Sequence, residues 1–261
     1  MFDKKYYYVI HIQYLGYRFH GWQKQPNLKT VHLMIDRTLK YILDGKYFKT
    51  MGSGRTDAMV SVENTAFELF LCHKIDDEIT FLNLLNYNLP QDLRALSITE
   101  VDKKFNIIHD SVEKEYWYLF AHGQKCHPFC APIMTIILDK LDIDLMIKGA
   151  LLFEGNHNFK SYCYKPSENG VFNRLLSLSL IEENSDYTAN FFPKTSYIFK
   201  VKGKGFGRNQ IRLMMGMLIK LGKHEVDLLD ISKSLEEKSN YHIDYIAPAS
   251  GLILKNNTFN Y

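Results

Sequence analysis

The sequence predicts a mixed α+β protein in two halves of similar make-up, and three observations carry the prediction. Short segments rich in β-branched and aromatic residues alternate with segments whose apolar residues recur at helical spacing. A polar segment, Asp102-Lys103-Lys104, separates one such series from a second that loosely repeats it, which assigns residues 1–104 to an N-terminal domain and 105–261 to a C-terminal one. The chain has 261 residues and is 46% hydrophobic, enough for a full core in each half, with no low-complexity linker.

Tyr6 to Gln13 is β-branched and aromatic with partial alternation, a strand that runs into the loop Gly16-Tyr17-Arg18-Phe19-His20-Gly21-Trp22. After Pro26, the spacing of Val31, Ile35, Leu39 and Ile42 predicts a helix with Thr30 as its N-cap. Phe48 to Met51 leads into a glycine-rich turn, and Thr65 to Leu71 is the strand beyond it. A second helix is expected from Asp77 to Leu85, ended by Asn86 to Pro90, followed by a strand over Leu93 to Val101. In the second half, strands are expected over Glu115 to Phe120, Ile133 to Leu138, Leu175 to Glu182 and Tyr197 to Lys202. Asp142 is placed to cap a helix carrying Ile143, Met146, Ile147, Ala150 and Leu151. Ile211, Met214, Met215 and Leu218 mark an amphipathic helix that also carries Arg208 and Arg212. A short helix near Ile231 to Leu235 and a strand near Ser250 to Leu254 complete the pattern.

The formal net charge of +3 permits a polyanionic partner without identifying one. Seventeen Tyr and seventeen Phe supply either stacking surfaces for bases or aromatic-rich sheets. The N-terminal stretch Met1-Phe2-Asp3-Lys4-Lys5-Tyr6 has no apolar leader, and no run reaches the roughly 18 apolar residues of a membrane span, so a cytoplasmic protein without membrane attachment is expected. Cys72, Cys126, Cys130 and Cys163 are too scattered for a disulfide framework. Cys126-His127-Pro128-Phe129-Cys130 with His122 lacks a second pair of ligands, so no metal is assigned.

Chemistry concentrates in Met51-Gly52-Ser53-Gly54-Arg55-Thr56-Asp57-Ala58, which sets a carboxylate beside a guanidinium on glycine-rich backbone. Glycine lets a ligand approach the main chain, Thr and Asp can bond neighbouring backbone, and Arg55 offers a fork suited to phosphate. By itself an aspartate such as Asp57 is more often a turn or capping residue than a nucleophile. However, the stretch from Gly52 to Ala58 closely resembles the signature around the catalytic aspartate of the tRNA pseudouridine synthase A (TruA-type) family, and further blocks match in order along nearly the whole chain. Gly21-Trp22-Gln23-Lys24-Gln25, Asn88-Leu89-Pro90-Gln91-Asp92, Gly155 to Ser161 and Ala247-Pro248-Ala249-Ser250-Gly251-Leu252 resemble its Gly-Trp-Gln, Asn-Leu-Pro, Gly-x-His-x-Phe-x-Ser and Ala-Pro-Ala-x-Gly-Leu elements. Tyr116 aligns with its active-site tyrosine, and Arg212 with the arginine that pairs with the aspartate.

The resemblance implies two RRM-like or ferredoxin-like α/β domains, with antiparallel sheets joined across an active-site cleft. It also implies a homodimer that isomerises uridine on the 3′ side of the tRNA anticodon stem-loop, at positions 38, 39 or 40, without a cofactor. The chemistry is coherent with that: breaking an N-glycosidic bond, turning the uracil and rejoining it through carbon involves no redox change. Asp57 would add to the ribose anomeric carbon or to the uracil ring, or support loss of a proton from the sugar. Arg212 would hold it ionised, and Tyr116 would stack on the flipped base. Arg55, Arg18, Lys24, Lys204 and Arg208 are the candidate RNA contacts.

Departures fall next to the aspartate. Where the family continues Asp-Ala-Gly-Val-His-Ala, this chain has Asp57-Ala58-Met59-Val60-Ser61-Val62. Leu15 stands where an acidic residue is common, and Arg208-Asn209 replaces an aromatic-or-His and His pair. These changes bear on the choice of RNA, so a synthase acting on another RNA is one alternative. A second is a non-catalytic RNA-binding module, since Lys204-Gly205-Phe206-Gly207 opens like an RNP1 segment, although Arg208-Asn209-Gln210 lacks its later aromatic positions. Gly203, Gly205 and Gly207 complete neither a dinucleotide fingerprint nor a Walker motif.

Overall fold

The computed structural model describes residues 5–188, 190–237, 239 and 241–261, and residues 1–4 of the N-terminal stretch read above lie outside them. Two compact units divide between Val112 and Glu113, and the last eight residues, Leu254–Tyr261, belong with the first unit. The crossover read from Asp102-Lys103-Lys104 lies within the first unit by this division.

The first unit runs β1 (Tyr6–Tyr14), α1 (Val31–Ile42), β2 (Phe48–Gly52), β3 (Ser61–Leu71), α2 (Glu78–Asn88) and β4 (Leu93–Glu100). The strands are ordered β4-β1-β3 with β2 also on β3, all antiparallel, which is the split β-α-β of ferredoxin-like folds. Register is set by burial: Tyr8, Ile10 and Ile12 are buried, and Ile10 faces Phe67 while Tyr8 faces Leu69. The Thr30 hydroxyl accepts from the Leu33 N–H and caps α1, whose Val31, Ile35 and Leu39 are buried. At about 1.5–3 kcal/mol per fully buried aliphatic side chain, this stripe holds α1 on the sheet. Asp77 caps α2 through the amides of Ile79 and Thr80.

The second unit contains β5 (Ser111–His122, from Glu113 onward), β6 (Thr135–Ile137), α3 (Ile143–Leu151), β7 (Gly155–Asn158), β8 (Asn173–Glu183), β9 (Tyr197–Gly203), α4 (Gln210–Gly222) and α5 (Leu228–Ser234). Its strands are ordered β5-β9-β8-β7 and antiparallel, and β6 adds a short parallel ladder to β5. Three strands lie between α3 and α4 where the first unit has two between its helices, so the repeat is loose. β7 was not expected; Gly155-Asn156-His157-Asn158 has no strand propensity and is a strand because β8 pairs with it. Asp142 caps α3 through the Leu145 N–H. The expected face of α4 is buried, with Met214 and Met215 wholly enclosed, but every other residue of it except the half-buried Arg212 and Lys220 is buried too. It is therefore a core helix and not the amphipathic one its spacing predicts, and Arg208 lies ahead of it. β10 (Leu252–Phe259) follows and joins β3 of the first unit's sheet.

All four cysteines are free. Among the described residues no helix is long and apolar enough to cross a membrane, and no group of three or more His, Cys, Asp or Glu side chains is placed to hold a metal.

Candidate active site

In the first unit, Arg55, Thr56 and Asp57 are irregular backbone between β2 and β3, followed by a turn at Ala58-Met59. The loop Gly16–Trp22 holds this segment by its main chain. The Trp22 N–H donates to the Thr56 carbonyl (3.2 Å), the Met59 N–H donates to the Phe19 carbonyl (3.0 Å), and the Val60 N–H closes the turn on the Asp57 carbonyl (3.3 Å). The hydroxyls of Tyr14 and Thr56 are 2.9 Å apart. Gly21, at φ 80, lies so close that a Cβ would come 2.5 Å from the Thr56 carbonyl oxygen, so no side chain fits.

Gly52 departs from the expectation that its bare backbone admits a ligand. A Cβ there would lie 2.4 Å from the Trp22 indole, so the missing side chain makes room for that ring. The ring is in turn stacked on His32 at 5.3 Å, and His32 Nε2 is 2.8 Å from the Thr50 hydroxyl. Burial holds the His32 pKa below the ordinary histidine value, against the opposing pull of Asp36. Asp57 is half-buried at the end of this braced loop, and Arg55 is exposed.

The two departures beside Asp57 have different local consequences. Met59 stands at φ 68, in the left-handed region that glycine occupies without strain. The buried Ser61 hydroxyl accepts the Gly16 N–H at 2.9 Å, tying β3 to the bracing loop.

In the second unit, Tyr116 on β5 is half-buried, with its ring edge-on to Phe206 at 5.2 Å. Trp117 and Tyr118 are buried, as their strand position predicts. Arg212, on the first turn of α4, is half-buried, donating from Nε to the Ala247 carbonyl (2.8 Å) and from Nη1 to the Asn209 Oδ1 (3.3 Å). The Ala247 N–H returns a bond to the Arg212 carbonyl (3.1 Å). Tyr118 bonds the next carbonyl, that of Pro248, at 2.7 Å, and burial drives its phenol pKa upward. The Ala-Pro-Ala element thus holds the arginine from one side, and Asn209, in left-handed conformation before α4, holds it from the other.

The roles of Tyr14, Tyr118 and Asn209 in this bracing were not read from the sequence. The position of Tyr118, two residues along the strand from Tyr116 and so on the same face, was the available signal.

The candidate RNA contacts are dispersed. Arg18 donates through Nε (2.9 Å) and Nη2 (2.8 Å) to Asp92, and Lys24 pairs with Asp36. The Arg208 guanidinium lies over the Tyr164 ring at 5.1 Å, and Lys204 is exposed just after β9. The RNP1-like segment follows that strand and is not part of it, because β9 ends at Gly203.

Comparison with known proteins defines the class. A sequence model of the family described as "tRNA pseudouridine synthase" matches residues 150–260. The chain is 30% identical over 250 residues to tRNA pseudouridine synthase A of Staphylococcus aureus strain MRSA252, covering 95% of this chain and 89% of the relative. It is 29% identical over 252 residues to the protein of that name from strain JH1, covering 95% and 88%. The chain belongs to the tRNA pseudouridine synthase A family, a family of isomerases.

Proposed function

We propose that this protein converts uridine to pseudouridine in tRNA, on the 3′ side of the anticodon stem-loop at positions 38, 39 or 40, with Asp57 as the nucleophile. The observation that carries the reading is 30% identity over 95% of the chain to a protein named tRNA pseudouridine synthase A. The first unit contributes Asp57 on a loop held by main-chain hydrogen bonds, so the carboxylate does not have to be ordered when RNA binds. The second contributes Arg212, which favours the ionised form of the carboxylate, and Tyr116, whose ring offers a face to the extruded base. Arg55, Arg18, Lys24, Lys204 and Arg208 contact the RNA backbone. The protein works in the cytoplasm as a homodimer, with no cofactor, since the isomerisation is redox-neutral.

The test is to incubate the protein with unmodified tRNA and map pseudouridine by carbodiimide-dependent primer extension. Wild type should give stops at the anticodon-stem positions, and Asp57→Ala should lower the rate by at least about 10³-fold, as loss of a nucleophile does. Absence of pseudouridine in every cellular RNA tested with wild type overturns the enzymatic reading, and full activity in Asp57→Ala overturns the assignment of the nucleophile.

A further inference from the structure

Next to the residues that hold Arg212, wholly within the second unit, is a cavity of about 460 Å³ to which the reaction above gives no role. That volume falls within the range of small-ligand sites. Leu213 of α4 and Ile243 give it buried apolar walls, joined by Ile246. Tyr164 and Tyr241 bring flat side chains, and Lys160, Lys165 and His242 bring donors.

The charge is one-sided. The Lys165 ammonium lies over the Tyr164 ring at 5.4 Å, and the Arg208 guanidinium lies over the same ring at 5.1 Å. The Tyr164 N–H donates to the Arg208 carbonyl at 2.9 Å, which locks the two segments together. Lys165 stands at φ 51, a conformation that side chains other than glycine rarely adopt. Among the described lining residues the carboxylate is Asp244, and Lys220 engages it.

Apolar walls with two phenol rings suit a nucleobase, and the cations gathered at Tyr164 suit its phosphate. The cavity is also beside the candidate active site in the chain. Leu213 follows Arg212 directly, and Ile246 precedes Ala247, whose carbonyl anchors that arginine.

We propose that this cavity takes one unpaired nucleotide of the RNA substrate, a near neighbour of the uridine isomerised, with its base against Tyr164 and Tyr241 and its phosphate against Lys160 and Lys165. The inference rests on the tRNA reading above and adds a second point at which the protein engages the loop.

Filter binding and single-turnover pseudouridine formation with unmodified tRNA test it on the full-length protein. Tyr164→Ala should raise Kd about tenfold, since base stacking on an aromatic ring contributes on that order. Tyr164→Phe should restore it. Lys165→Ala should lower the slope of log Kd against log salt by about 0.7, as loss of one phosphate contact on a single strand does. The rate at saturating tRNA should stay at the wild-type value in Tyr164→Ala and Lys165→Ala. Wild-type Kd and salt slope in both variants overturn the proposal, as does a Tyr164→Phe protein as weak as Tyr164→Ala, which assigns the effect to the hydroxyl and not to stacking on the ring. Displacement of uridine monophosphate by Tyr164→Ala with tRNA binding unchanged also overturns it, because the cavity then takes free nucleotides. These are binding readouts, so a wild type that binds tRNA with the expected variant effects but forms no pseudouridine sinks the enzymatic reading and leaves the cavity assignment supported.

Discussion

Met59, two residues after Asp57, concentrates the chemical departure of this chain from the family pattern in one backbone torsion. At φ 68 a side chain crowds its own carbonyl, which costs about 1–2 kcal/mol relative to glycine. The loop tolerates this because the amide of Met59 is bonded to the Phe19 carbonyl and that of Val60 to Asp57. Comparing two truncations removes the contribution of the thioether chain: Met59→Gly should be about 1 kcal/mol more stable than Met59→Ala, read as the difference in urea midpoint. Equal midpoints would show that the loop relaxes its torsion when the side chain is shortened. Ser61 and Asn209 fit the same description, since each departs from the family pattern and each makes a specific bond, to Gly16 and to Arg212.

At the level of elements, the start of the aspartate loop depends on a strand from the far end of the chain. Asn257 of β10 donates from Nδ2 to the Ser53 hydroxyl (3.1 Å) and lies 3.5 Å from that of Thr65, while its Oδ1 accepts the Ser111 hydroxyl (2.7 Å). Ser53 and Thr65 are themselves 2.9 Å apart, and all four residues are buried. Such a network is stabilising only while every member is satisfied. Asn257→Ala should therefore destabilise the protein by about 1–3 kcal/mol, the cost of stranding buried hydroxyls, in chemical denaturation. It should also lower pseudouridine formation, because Ser53 begins the loop that carries Asp57. Unchanged stability would mean that water replaces the amide.

At the level of the whole molecule, the response to acid follows from half-buried imidazoles. Burial lowers the pKa of His32, with Asp36 opposing and Lys24 assisting. It also lowers that of His73, assisted by Lys46, and that of His122. The folded state then binds these protons less tightly than the unfolded chain, so stability is fully present above the unfolded histidine value near 6.5 and declines as pH falls below it. Denaturant midpoints measured from pH 7.5 down to 5.5 should fall for wild type and fall less for His32→Gln. An identical slope in the variant would remove His32 as a contributor.

Local chemistry in the sequence was sufficient for the strands β1, β3, β4, β8 and β9, for the five helices, and for the caps at Thr30 and Asp142, because spacing and short-range hydrogen bonds specify these without distant partners. The ordered motifs also sufficed to place the chain in its family. Only the tertiary structure decided what lies far apart in sequence: that Gly52 yields its space to Trp22, that Gly16–Trp22 braces the aspartate loop, that Ala247 holds Arg212, and that residues 254–261 belong with the first unit. These depend on pairing and close packing across tens to hundreds of residues, which no local period encodes.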